Sequence, residues 1–160
     1  MNAVANNPAG AVPAKFPSLE WFQNLADLMN GNRARAEQLG YVDCIARFTV
    51  TRDGKPLFCA QITFDEFEVL AVTRGTARNA DKADFELKGE LADWAEMIDN
   101  IRDGGGKPDL EHTLNRLSHI GTPFLLVQDD PMRRDMYFRY NQSLQEFFNA
   151  SAQFETLYDQ

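Results

Sequence analysis

The amino-acid sequence predicts an α+β domain, with one mostly antiparallel five-stranded sheet covered on one face by helices. Three observations lead there. Along Ala83-Asp84-Phe85-Glu86-Leu87-Lys88-Gly89-Glu90-Leu91-Ala92-Asp93-Trp94 the apolar period changes from two to 3.6. A strand with Phe85 and Leu87 on one side therefore hands over directly to a helix striped by Leu91, Trp94, Ala95, Ile98 and Ile101. Two earlier strands meet at Asp53-Gly54, a hairpin dipeptide, and a long helix with a broad apolar face lies near the C-terminus.

Taken in order, residues 1–15 are rich in Ala, Asn and Pro and lack both an early positive cluster and an apolar run, so they read as a disordered tail and not as a signal peptide. Residues 16–158 read as the single domain. Ser18 is placed to cap the first helix while Phe16 staples its first turn. Trp21, Phe22, Leu25, Leu28 and Met29 share one face of that helix, and Asn30-Gly31 stops it. A short, weaker helix over 33–39 ends at Gly40. From 41 to 64 the pattern is a hairpin, with Val42, Cys44, Ala46, Phe48 and Val50 on one face of its first strand and Phe58, Ala60, Ile62 and Phe64 on one face of its second. A two-residue Asp53-Gly54 loop would pair Phe48 with Cys59 and oppose the two rows. A three-residue loop, Arg52-Asp53-Gly54, pairs Phe48 with Phe58 and Cys44 with Ile62 and puts both rows in the core, so it is the register expected.

A third strand follows over 67–74 and a turn over 76–82. After the helix over 91–102, Gly104-Gly105-Gly106-Lys107-Pro108 is a break, and Leu110, Leu114 and Leu117 give the next helix a narrow apolar side. Residues 124–128 form a short buried strand. Asp130 as N-cap and Pro131 at the first helical position start the last helix, whose apolar sector takes in Met132, Met136, Tyr137, Tyr140, Leu144, Phe147, Phe148 and Phe154.

A chain of 160 residues can bury about 70% of its unfolded surface, enough for a core without disulfides or metals. Twelve Phe, four Tyr and two Trp make that core aromatic. The net charge of -8 argues against nucleic acid or an anionic bilayer as main partner, since either needs a concentrated basic surface. Arg33 to Arg35 and Arg133-Arg134 are the small basic exceptions and read as solvated charges near helix ends. The longest strongly apolar run, Phe124-Leu125-Leu126-Val127, is far short of a membrane span, so no stable membrane insertion and a cytoplasmic location are expected.

Chemistry is sparse. Cys44 and Cys59 fall in strands with side chains on opposite sides of the sheet, which excludes a disulfide between them and suggests buried, inert thiols. His112 and His119, seven apart on the helix expected there, stand about 10 Å apart along the axis and cannot share a metal ion. Lys107 is followed by Pro108 where a phosphate loop needs Ser or Thr. No catalytic residue, metal ligand or cofactor is therefore expected. What remains is apolar surface: two amphipathic helices carry Met, Trp and Tyr beside Leu, a lining that suits an acyl chain or steroid as well as it suits ordinary core.

With the strand-to-helix handover at 83–101, the hairpin at Asp53-Gly54 and the C-terminal helix in place, the order of elements over residues 21–148 resembles the sterol carrier protein 2 family, the small nonspecific lipid-transfer fold. The chain departs from that pattern before its last strand, where Gly121-Thr122-Pro123-Phe124 stands in place of a Gly-Lys-rich stretch. The resemblance implies an apolar tunnel between sheet and helices and a noncatalytic carrier of a hydrophobic small molecule such as a lipid, a fatty acyl thioester or a sterol-like ligand. Its expected walls are Ala60, Ile62, Trp94, Ile98, Met136, Tyr140 and Phe147, with Trp94 and Tyr140 as polar handles. Two other readings stand beside it. Phe138, off the apolar stripe of the last helix, suggests an interaction or homodimerisation module with a closed core. A small acid-base enzyme acting on a steroid-like substrate would need a carboxylate on an apolar face, and no predicted element supplies one.

Overall fold

The computed structural model describes residues 12–158. The first half contains strand β1 (Ala14–Phe16), helices α1 (Leu19–Asn30) and α2 (Arg33–Leu39), then strands β2 (Val42–Arg52), β3 (Lys55–Glu66) and β4 (Glu68–Arg74). The second half contains β5 (Phe85–Glu90), α3 (Leu91–Asp103), α4 (Leu114–Ser118), β6 (Leu125–Val127), α5 (Pro131–Arg139), α6 (Asn141–Asn149) and β7 (Thr156–Tyr158). The main sheet runs β4-β3-β2-β5-β6. Three of its pairings are antiparallel and β2–β5 is parallel, so the five-stranded sheet is mixed.

The hairpin faces are as expected, but the register is not. Arg52 pairs with Lys55, leaving Asp53 and Gly54 as a two-residue turn with φ of 54° and 79°, the positive values a type I′ turn demands. A bulge then lets Leu57 go unpaired, since Thr51 faces Pro56 and Val50 faces Phe58. That single extra residue restores the alignment that the turn alone would lose. Phe48 pairs with Ala60 and Cys44 with Phe64, and both apolar rows are buried. Cys44 lies in that buried row, Cys59 lies opposite Thr49 on the other face, and both thiols are free. Burial pushes the Cys44 thiol far above its ordinary range.

The handover at Glu90-Leu91 is direct, with α3 beginning on the residue after β5 ends. Trp94, Met97, Ile98 and Ile101 bury its inner side. Gly89 makes this possible, because a Cβ there would lie 2.3 Å from the Phe124 ring.

Three further expectations are corrected. The helix anticipated from Leu110 is only α4: Thr113 is its N-cap, accepting the Arg116 N–H at 3.2 Å, and Leu110 is 85% exposed in the preceding loop. The Asp109 carboxylate takes the Glu111 N–H at 3.0 Å, a local turn that competes with helix at this point. His112 and His119 consequently do not share a helix; His112 is in the loop and His119 caps the end of α4. The long C-terminal helix is two helices bent at Tyr140 (φ -101°, ψ 12°), followed by a 3₁₀ turn over Ala150–Gln153 that leaves Phe154 extended. Finally, Ala14 and Lys15 belong to β1, paired in parallel with β7, so the ordered domain begins before residue 16. Of the expected tail, residues 1–11 lie outside the described residues.

Candidate functional site

Helix α2 is short because Asn32 caps its start, accepting the Arg35 N–H at 3.3 Å, and Gly40 ends it. Its inner side, Ala36 and Leu39, meets Leu28 and Met29 at the end of α1 and Phe147 on α6 around a cleft of about 330 Å³. Gly105 and Gly106, from the loop after α3, and Ala150 and Ala152, from the turn after α6, complete the walls. The floor is apolar. Phe147 is buried there, edge-to-face with Phe64 at 5.3 Å and with Phe148 at 5.5 Å.

The mouth is polar and charged on both sides. Arg35 from α2 reaches Glu146 on α6 with two nearly parallel bonds, Nε to Oε2 at 3.3 Å and Nη2 to Oε1 at 3.2 Å. Both side chains are partly exposed, so the pair is a modest tie in high dielectric that a competing polar group can enter. The cleft thus offers an apolar body site and a donor-acceptor pair at its rim. The shape and polarity suit an amphiphile, and the lining contains no Ser, Thr, Cys or His to serve as a base-activated nucleophile. Among the described residues no group of three His, Cys, Asp or Glu side chains could hold a metal ion, and no helix is long and apolar enough to cross a membrane.

No family model matches the sequence, and no curated protein matches it significantly. Solved structures do match the architecture. A crystal structure of sterol carrier protein 2 superposes with a TM-score of 0.56 at 17% identity, covering 82% of this chain and 93% of that one. The solution structure of a conserved hypothetical protein from Thermus thermophilus, considered a sterol carrier protein candidate, gives a TM-score of 0.52 at 17% identity, with 82% and 86% covered. The fold is the sterol carrier protein 2 fold.

Within this sterol carrier fold, the residues expected as tunnel walls occupy two kinds of place. Ala60, Ile62, Trp94, Ile98 and Phe147 are buried in the core between sheet and helices, whereas Met136 and Tyr140 are half-buried against its edge. Trp94 is packed on Phe124 at a centroid distance of 4.4 Å and on Phe148 at 5.6 Å. Its indole N–H is shared between the Thr49 and Gly89 carbonyls, each at 3.2 Å, so the expected polar handle is engaged by backbone. Of the seven expected residues, Phe147 alone lines the cleft.

Sequence reasoning missed the other cleft residues. Leu28 and Met29 were legible as an apolar helix face and the short helix over 33–39 was expected, but not that this helix leans over them. The signal for that helix was Ala36 and Leu39 spaced three apart between caps at Asn32 and Gly40, and the signal for the rim was an arginine there that pairs across 111 residues with Glu146. The two small basic spots are both engaged. Arg33 bonds Glu37 and lies 4.9 Å over the Phe67 ring, while Arg133 bonds Asp84 and the Asp81 and Ala83 carbonyls.

Proposed function

We propose that this protein is a noncatalytic carrier that shelters a hydrophobic small molecule, of the lipid, fatty acyl or sterol-like class, in the cytoplasm. The observation that carries the reading is the apolar-floored cleft between α1, α2 and α6 in a chain with the sterol carrier fold. At about 330 Å³ the cleft is at the lower end of the roughly 300–1,000 Å³ typical of small-molecule sites, so it takes a chain segment or a ring system with the polar end at the rim. Arg35 and Glu146 orient that end. Phe147 separates the cleft from Phe64 and the core behind it, and a turn of this ring would lengthen the site toward Ile62 and Ala60 on the sheet. Trp94, Ile98, Met136 and Tyr140 join the wall only if α5 and α6 lift with it. Two free thiols on opposite sheet faces fit a reducing compartment.

The test is titration with cis-parinaric acid, whose fluorescence rises in apolar surroundings. Saturable binding is expected for the wild type, with at least a tenfold loss in Ala36→Leu and in Ala152→Phe, two changes that add bulk to the cleft walls. Absence of saturable binding in the wild type, or binding indifferent to both changes, would sink the carrier reading.

One observation favours a second reading, a homodimer with a closed core: Phe138 is 53% exposed on α5, on the same helix as the exposed Met132. Sedimentation of the wild type beside Phe138→Ser separates the two. A dimer abolished by the substitution, in a protein that binds no probe, selects the dimer.

A further inference from the structure

Between α3 and α4, residues 104–113 fold back along α3 and are tied to it by side chains. Asn100 and Asp109 exchange two bonds, Nδ2 to Oδ2 at 3.0 Å and the Asp109 N–H to Asn100 Oδ1 at 2.8 Å. Next to them the His112 ring, only 20% exposed, stands between two carboxylates. Its Nδ1 is 2.7 Å from Asp109 Oδ1 and its Nε2 is 2.7 Å from Glu96 Oε2. Both nitrogens can serve as donors only when the ring carries two protons.

The geometry points to His112 as a proton-operated pin: the imidazolium locks the 104–113 loop onto α3, and loss of one proton releases the Glu96 side of the lock and loosens the loop that borders the cleft. Electrostatics around the ring agree. From α3 it faces Glu96, Asp99 and Asp103, with Arg102 already paired to Asp99 and Asp103. From its own loop it faces Asp109, while Glu111 is paired to Arg116. The hydrogen bond to Asp109, then that to Glu96, raises the imidazole pKa, and the same bond holds the Asp109 carboxyl below its ordinary value. For a group whose folded pKa is raised, the stabilisation is complete below the unfolded pKa and is lost as pH rises through the folded one. The pin is therefore closed from the depressed pKa of Asp109 up to the elevated pKa of His112, and opens above it.

Which contact opens follows from the partners. Asp109 is also held by the Glu111 N–H and by Asn100, so the neutral ring keeps its remaining proton on Nδ1. Nε2 then presents a lone pair to the Glu96 carboxylate, which is largely exposed and has no other hydrogen bond among the described residues. The effect on the cleft rests on the carrier reading: Gly105 and Gly106 form part of its wall at one end of this loop. At the other end the Leu114 N–H bonds Gln145 on α6 at 2.7 Å, one residue from the rim Glu146.

Hydrogen exchange of the full chain across a pH series, corrected for intrinsic rates, tests the pin without any ligand. Amide protection of residues 107–113 should fall as His112 titrates, by up to tenfold for each pKa unit of elevation read from the NMR titration of its ring. Glu96→Gln is the decisive variant, since its amide can accept from an N–H or donate to a lone pair. It should keep the protection and flatten its pH dependence. Protection that does not change through the His112 titration, or a Glu96→Gln profile as steep as the wild type, overturns the pin. In the same series the dissociation rate of cis-parinaric acid should rise at the His112 midpoint in the wild type and not in Glu96→Gln. A flat dissociation rate with a changing exchange profile overturns the link to the cleft. A protein that binds no probe at any pH overturns the carrier reading and the link, and the pin is then decided by exchange alone.

Discussion

Gly89 shows how one missing Cβ organises its surroundings. It lies opposite Val50 in the parallel β2–β5 pairing, and the Phe124 ring fills the space where its side chain would stand. Trp94 then closes over Phe124, and its N–H returns to the Gly89 carbonyl. A glycine inside a strand pattern marks a bulge or a close approach, but periodicity places Gly89 only within the strand-to-helix run and does not name the ring that approaches it. Replacing Gly89 with Ala forces Phe124 out of contact, an overpacking change expected to cost about 1–3 kcal/mol. Urea melts measure the loss, and the near-ultraviolet circular dichroism of Trp94 should change with it. Wild-type stability in Gly89→Ala would mean that the ring yields freely and that this part of the core is not close-packed. The same scale explains why the expected handle is engaged by backbone: a buried indole must bond something, and periodicity cannot tell a backbone carbonyl from a ligand.

Where elements join, Glu90 carries more than its place at the end of β5. Its carboxylate accepts from the Thr51 hydroxyl and from the Asp53 and Gly54 N–H groups, both at 2.9 Å, so the strand-to-helix junction also fastens the β2–β3 turn. The Thr51 bond first, then the Gly54 N–H, holds its carboxyl below the ordinary range against a smaller opposing effect of burial. A carboxyl depressed in the folded state contributes stability above its unfolded pKa of about 4.3, and that contribution disappears as pH falls through the folded value. Urea midpoints of wild type and Glu90→Gln should therefore differ most near neutral pH and converge in acid; parallel curves would show that the tether does not act. The strand faces, the handover and the Ser18 cap, whose oxygen accepts the Trp21 N–H, were legible because each writes a local period or a cap into the sequence. The Leu57 bulge was not, because a bulge and a three-residue loop both restore the same alternation of faces. The bend at Tyr140 was not either, since main-chain bonds run through it, Tyr140 N–H to Met136 O at 2.9 Å and Leu144 N–H to Tyr140 O at 3.0 Å. The cleft escaped with them, as it depends on how α2 and α6 meet across most of the chain.

For the molecule as a whole, the two ends of the described chain are fastened together. Three-residue strands such as β1 and β7 are too short to show a period, yet they pair Ala14 with Thr156 through Phe16 with Tyr158. The clasp reaches the core, since Trp21 donates its indole N–H to Thr156 Oγ1 at 3.0 Å and Phe16 packs edge-on against Trp21 at 4.7 Å. Tyr158 bonds Asp99 on α3 at 3.1 Å, and burial, then the Asp99 charge, raises its phenol pKa. Removing residues 156–160 would leave the Trp21 N–H without its partner, a cost of about 1–3 kcal/mol, and would strip the Phe16 ring of one aromatic neighbour, worth about 0.5–1.5 kcal/mol more. With about 2–4 °C per kcal/mol for a domain of this size, the melting temperature should fall by roughly 3–18 °C. Thr156→Val isolates the hydrogen bond and should account for the larger share. Because Ala14 is buried and donates its N–H to the Glu155 carbonyl at 3.0 Å, deleting residues 1–14 should also lower the melting temperature, which a tail disordered up to Lys15 would not do. Truncations at either end that melt with the wild type would show that the clasp adds nothing and that the sheet and helices are stable without it.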